Sequence, residues 1–356
     1  MIPYSRHNIT EDDIAAVAEV MRSDYLTRGP MVPRFESELA LIYNKEHAVC
    51  MTNATLALYA ALWVSGTTSV TSPALTFMAI ANATAIAGIP LFLTDVDKYS
   101  LRADFYSGPS RYDNDNPCFV PMDYAGLPWE PKIPLPKNHL VIRDACHSFG
   151  APSWLFARDD MTVLSLHAVK QLGVSEGSVI FTDNEDYATL LKRYRDNGRV
   201  DGSSASIGLN LHMSDIPAAI GLSKLKRWEK EKARRWEIAR RYLDHWKNDN
   251  RLILPPDSEN HAWHLFVIRL TDRVRCNRND FRELLKTMGV GSQLHYQPLY
   301  LQPVLADRYN HSAFPVTNEA YARMLSIPLY SSMTDEQVET VVKSVDRALD
   351  DLTWTE

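Results

Sequence analysis

Cysteine is scarce in this chain of 356 residues: Cys50, Cys118, Cys146 and Cys276 stand far apart, and no two form a Cys-x-x-Cys pair. That spacing excludes a zinc knuckle, gives no reason to expect a metal, and fits idle thiols in a reducing compartment. Excess positive charge is absent too. With 38 Lys and Arg against 44 Asp and Glu, the net charge is -6, which leaves no electrostatic footprint for nucleic acid or an anionic membrane. Any anionic ligand must therefore be held by a local site. The N-terminal MIPYSRHNITEDD lacks the apolar core of a secretion signal, so a cytoplasmic location is expected. No period of about 20 to 50 residues recurs, which argues against a repeat architecture.

Charge of either sign is missing from Met51 to Thr94, and a hydropathy scan flags such a stretch as a membrane span. Ser72-Pro73, Gly88 and Pro90 break it into short pieces, and Asn53, Thr76, Asn82 and Thr84 are scattered through it. Strands and helices buried on both sides of an α/β sheet explain it better, so no membrane association is expected. The content of 45% hydrophobic and 23% charged residues is that of a globular protein. The length favours a large domain, residues 1–235 with an N-terminal helix, and a smaller α+β domain, residues 236–356.

Along the chain, short apolar runs alternate with helical periods. Ile14, Val17, Ala18 and Met21 predict a helix capped by Thr10 and Asp13, and a second helix is expected over Pro33–Tyr43. HAVCM, SVTS, PLFLTDV, CFVPMDYAG, HLVIRD, MTVLSLH and SVIFT read as strands, with a buried helix over Ala74–Ala87. This alternation predicts a mostly parallel sheet sandwiched by helices. Arg102 to Asn116 reads as a surface excursion, and the four prolines of LPWEPKIPLPKN exclude a regular crossover helix. One long helix is expected from the dense AAIGL through KRWEKEKARRWEIARR, leaving the core for solvent and bridging the domains. HLFVIRL then predicts a strand; DFRELLKTM, NEAYARML and DEQVETVVKSVDRAL predict helices, with GVGSQLHYQPLYLQPV irregular between them.

The chemistry concentrates between His139 and Thr182. Asp144 closes one strand and His147 follows it; Ser165 and His167 close the next, and Lys170 follows. In open α/β sheets, ligands bind beyond the carboxyl ends of the strands. A lysine desolvated there has a lowered pKa and forms a Schiff base with an aldehyde, the property that pyridoxal phosphate uses. The pyridine nitrogen of that cofactor needs a carboxylate partner, and Asp144 is placed to supply it. The turn Thr52-Asn53-Ala54-Thr55 before an apolar helix offers backbone N–H groups to a phosphate, or is a plain N-cap by Asn53 or Thr55. Ser165 completes such a phosphate cup. Phe77 is a candidate ring platform or a core aromatic; His147 contacts the cofactor ring or orients Asp144; His167 assists proton transfer or packs.

These residues sit in ordered blocks, among them IPYSRHNITEDDI, TNATLALYAAL, RDACHSFGA, DMTVLSLHAVK, SEGSVIFT, HLFVIRL and LHYQPLYLQP. Together the blocks resemble the DegT/StrS sugar aminotransferases, of the fold-type I pyridoxal-phosphate class. The first and last blocks resemble most the enzymes that install the 4-amino group of pseudaminic-acid-type nucleotide sugars. The resemblance implies Lys170 as the Schiff-base lysine, Asp144 as the pyridinium partner and Phe77 as the stacking ring. It further implies His147 at the ring face or 3′-oxygen, and Asn53, Ala54, Thr55 and Ser165 around the phosphate. His295, Tyr296 and His167 fall on the substrate side. Asn210 would reach the phosphate of a neighbouring subunit, which implies a homodimer with shared active sites. The implied reaction moves an amino group from L-glutamate to a 4-keto-6-deoxy nucleotide sugar. Departures are Ser175-Glu176-Gly177-Ser178 where the family has Gly-Glu-Gly-Gly, the proline-rich connection, and a glycine-poor turn after FGA. They keep two alternatives open: another pyridoxal-phosphate reaction on the same fold, such as decarboxylation, elimination or amination of a non-sugar substrate, and a non-catalytic scaffold or sensor.

Overall fold

The computed structural model describes residues 1–105, 116–131, 135–136, 139–156 and 158–353. Most of the expected excursion between Arg102 and Asn116, and part of the proline-rich connection, lie outside the described residues. Helix α1 (Glu11–Arg22) opens where Asp13 accepts the Thr10 backbone N–H at 2.9 Å, a carboxylate complementing the helix N-terminus. Helix α2 (Met31–Tyr43) starts two residues earlier than expected. The reason is remote in sequence: buried Asp215 accepts the N–H groups of Gly29 and Met31 at 2.7 Å and of Val32 at 3.3 Å.

Apolar runs then build one sheet. Its strands are β1 (His47–Met51), β2 (Ser69–Pro73), β3 (Leu91–Thr94), β4 (Pro117–Phe119), β5 (Leu140–Asp144), β6 (Met161–Ser165) and β7 (Ser178–Thr182), in the order β1-β7-β6-β5-β4-β2-β3. The pairs β2–β3, β2–β4, β4–β5 and β5–β6 are parallel, and β7 runs antiparallel between β6 and β1. Helices α3 (Ala54–Ser65), α4 (Ala79–Ala87) and α5 (Glu185–Tyr194) contribute to the core on one side; α2 and α6 (Asp215–Leu225) contribute to a second core that includes Phe35, Phe149 and Phe181. Each such fully buried aromatic contributes about 1.5 to 3 kcal/mol.

Three expectations are corrected. The helix foreseen over Ala74–Ala87 begins only at Ala79, because Ala74 continues the β2 edge, its N–H bonding the Thr94 carbonyl at the end of β3 and its carbonyl accepting from Leu299. The long bridging helix is two, α6 and α7 (Trp228–Trp246). Between them Arg227 turns away to Asp13, Glu231 and the Asn8 carbonyl. Helix α7 does not run out into solvent either: Ile238, Ala239, Tyr242 and Trp246 are buried in a further core. That core packs on a three-stranded antiparallel sheet, β10 (Leu252–Ile253), β11 (Phe266–Leu270) and β12 (Met324–Ile327), where β8 (Arg199–Val200) and β9 (Ser203–Ser204) form a separate exposed hairpin. Strand β12 is the third correction. Helix α9 (Pro315–Arg323) stops there because the next residues pair with β11, Phe266 opposite Ile327. Helices α8 (Arg278–Thr287) and α10 (Asp335–Leu352) contribute to the same core.

Candidate active site

Adjacent parallel strands end on the same edge of a sheet, so β5 delivers Asp144 and β6 delivers Ser165 to one place. Across β7 the register aligns Ser165 with Ser178 and Ser178 with Met51, which brings the turn after β1 beside them. Beyond β6 the chain makes a hairpin back into β7: Ala168 N–H donates to Ser175 at 2.7 Å, Lys170 to His167 at 2.8 Å and Val174 to Leu166 at 2.8 Å. Gly173 is needed in it, with φ +37° and the Ala168 carbonyl 2.5 Å from where a Cβ would sit. Ser178, at a position where glycine is expected from the resemblance, is buried in β7 with its hydroxyl 3.4 Å from the Met51 carbonyl.

A cleft of about 790 Å³ opens over this edge. It gathers the residues expected around the cofactor phosphate, Asn53, Ala54, Thr55 and Ser165, with Phe77, Asp144, His147 and Lys170 and with His167, His295 and Tyr296. Asn210 alone among the expected residues is not in its lining. It is exposed, bridged to Asp196 beyond α5.

Burial sets the chemistry of the cleft. It lowers the Lys170 pKa, opposed by the neighbouring Cys146 and Asp144, so the neutral amine is more available than in solution. It raises the Asp144 pKa, opposed by hydrogen bonding to Cys146, including a backbone N–H at 3.2 Å, and by the charge of Lys170. Beneath, Arg143 donates to Asp159 and Asp123, and Asp123 accepts from Ser148 at 2.5 Å. This buried cluster fixes the turn that carries Asp144 and His147, since the Asp123 N–H also bonds the Asp144 carbonyl. His147 is fully buried and its pKa is pushed well down, by burial first and then by Lys170. Its Nε2 is hydrogen-bonded to the Tyr296 hydroxyl at 2.8 Å, and its carbonyl accepts from Gln171. His295, bonded to Ser326, is pushed down to about 3 by burial.

The residues fit pyridoxal phosphate. Asp144 is a buried carboxylate whose hydrogen-bond donors, among the described residues, come from Cys146, a setting that favours a cationic ring nitrogen. Phe77 lines the cleft and is 51% exposed, its ring 5.4 Å from that of Tyr296. At the phosphate end Asn53 does cap α3, accepting the Leu56 N–H at 3.0 Å. The first turn it opens leaves N–H groups that the helix itself cannot satisfy.

Tyr4, Met122, Cys146, Val169, Glu176, His264 and Gln293 also line the cleft and were not foreseen. Cys146 and Val169 adjoin expected residues. Glu176, 3.5 Å from His167, lies in the loop already noted as divergent. Tyr4 and His264 come from distant segments and carry no local signal, apart from the two histidines, His261 and His264, spaced by three before β11.

A family model described as the DegT/DnrJ/EryC1/StrS aminotransferase family matches residues 7–346. The spore coat polysaccharide biosynthesis protein SpsC of Bacillus subtilis is 30% identical over 374 residues, 97% of this chain and 96% of that protein. Among solved structures, PseC of Helicobacter pylori, an aminotransferase involved in pseudaminic acid biosynthesis, superposes with a TM-score of 0.89 at 22% identity, covering 99% of this chain and 100% of its own. Spr1654 of Streptococcus pneumoniae in its PLP form gives a TM-score of 0.89 at 22% identity, covering 98% and 99%.

Proposed function

Because the chain belongs to the DegT/DnrJ/EryC1/StrS aminotransferase family, we propose that it transfers an amino group from L-glutamate to a 4-keto-6-deoxy nucleotide sugar. Family members are sugar aminotransferases that depend on pyridoxal phosphate. The observation that carries the assignment of roles is the meeting of Lys170 and Asp144, from two neighbouring strand ends, in one cleft with the N-terminus of α3. When bound, the cofactor supplies an aldehyde to carry the amino group and a ring to take up electron density. Lys170 is the amine that anchors it and, once released, the base that moves a proton between carbon atoms. Asp144 keeps the ring nitrogen protonated. His147, steadied by Tyr296, would contact the ring at its face or 3′-oxygen, Phe77 would stack on it, and Ala54, Thr55 and Ser165 would hold the phosphate.

The acceptor half of the reading draws on the residues of the outer cleft. His295, Tyr296 and His167 offer hydrogen-bonding groups there, which suits a polyhydroxylated ring. The pseudaminic acid role of PseC and the polysaccharide role of SpsC support the same substrate class. Asn210, exposed at the far end of the β8–β9 hairpin segment, would contribute to the phosphate site of a second copy in a homodimer. Residues 1–235 and 236–356 would be the two domains, supported by the separate cores around the two sheets. No described helix is long and apolar enough to cross a membrane.

The test is a two-stage assay on protein loaded with pyridoxal phosphate. L-glutamate should bleach the cofactor absorbance and release 2-oxoglutarate, and a UDP-4-keto-6-deoxy-N-acetylhexosamine should then restore it. Failure to bleach refutes the donor; bleaching with no recovery on any 4-keto-6-deoxy nucleotide sugar refutes the acceptor.

A further inference from the structure

The first residues of the chain form a strap that joins the second sheet to the lysine hairpin. Ile2 exchanges backbone hydrogen bonds with Gly289 and Gly291 at 2.7 and 2.8 Å, and the Tyr4 carbonyl accepts the Leu329 N–H at 3.2 Å. Gly291 permits this: a Cβ there would lie 3.0 Å from the Ile2 carbonyl. Further on, Asn8 is held from the α6–α7 junction, its side chain donating to Glu231 and its carbonyl accepting from Arg227. Between these two anchorages Ser5 leans on the Val169 carbonyl, one residue from Lys170, and Tyr4 enters the cleft.

Tyr4 is oriented by packing, its ring centroid 5.3 Å from that of His295. Burial alone moves its pKa, upward, so the phenol stays neutral, and its hydroxyl has no hydrogen-bond partner among the described residues. A half-buried donor held at both sides and left without a partner inside a ligand-sized cleft is available to a ligand. The reacting carbon must lie at Lys170; Tyr4 stands past Val169, toward His295, where the remainder of an acceptor would extend.

We infer that Tyr4 is a specificity-determining residue, its hydroxyl bonding an oxygen of the acceptor's sugar ring. The inference rests on the acceptor reading above, and the experiment separates the two. Tyr4→Phe keeps the ring and its packing on His295 and removes one oxygen, so the fold is retained. With UDP-4-keto-6-deoxy-N-acetylhexosamine as the probe, KM should rise about tenfold, the loss of one neutral hydrogen bond, while kcat stays within about twofold. The glutamate half-reaction and the cofactor spectrum should not change. An unchanged KM in a working enzyme overturns the role of Tyr4 alone, as does an equal loss in the glutamate half-reaction, which would mark a structural effect. No turnover of any 4-keto-6-deoxy nucleotide sugar by the unmodified protein overturns the acceptor reading and this inference with it.

Discussion

Replacing Arg143 by Met asks how much the site depends on the charge cluster under it. The guanidinium, 2% exposed, makes a two-pronged bond to Asp159 (2.6 and 3.1 Å), bonds Asp123 at 3.0 Å, and bonds the Trp129 and Leu155 carbonyls at 2.7 and 3.0 Å. Methionine fills similar space but leaves two buried carboxylates without a cation, and breaking a buried pair in this way costs about 3 to 5 kcal/mol. Against a total stability of about 5 to 15 kcal/mol the variant should still fold near its optimum pH, but narrowly. The pH dependence gives the sharper signature. Even with Arg143 present, burial holds the Asp159 carboxyl above its ordinary value; without the guanidinium that opposes burial, it rises further. Stability tied to a raised pKa is present at low pH and lost as pH rises through that pKa. The deficit of Arg143→Met should therefore be largest near pH 8 and shrink on acidification, by about 1.4 kcal/mol per pH unit while Asp159 takes up its proton. Urea unfolding of both proteins from about pH 8 to 5.5 reads it out. A deficit below about 1 kcal/mol at pH 8, or one that does not change with pH, refutes the reasoning.

Two further predictions concern the cleft directly. Asp144→Asn keeps the shape of the side chain and loses its charge; pyridoxal phosphate should still bind, and the rate of the glutamate half-reaction should fall about 10- to 100-fold, the worth of a charge-assisted hydrogen bond. Retention of the full rate in single-turnover spectroscopy would contradict the assigned role. Gly126→Ala should lower the unfolding free energy by about 1 to 3 kcal/mol, because residue 126 has φ +104° and a Cβ would lie 2.9 Å from both the His147 carbonyl and the His264 nitrogen. Denaturant midpoints measure it, and an unchanged midpoint would show that the two segments pack less tightly than described.

Much of this was legible in the residues themselves. Strand-length apolar runs ending in Asp144 and Ser165, with Lys170 next, announce a sheet edge with chemistry on it, because parallel pairing leaves little choice about where those ends go. Local signals also pointed to the caps, Thr10 with Asp13 before α1 and Asn53 or Thr55 before α3, of which Asn53 is the one that caps. What stayed hidden depends on contacts between distant segments. Asp215 draws the start of α2 back to Met31, Leu299 and Thr94 hold Ala74 out of a helix, and β11 turns Met324–Ile327 into a strand. The same holds within the cleft: Tyr4 and His264 arrive from segments whose own sequence gives no reason to expect them beside Lys170.

The most direct test of the account is where the cofactor is attached. Protein loaded with pyridoxal phosphate, reduced with borohydride and digested, should carry the phosphopyridoxyl label on the peptide containing Lys170, and Lys170→Ala should carry none. Label on another lysine, or the same labelling in Lys170→Ala, would contradict it.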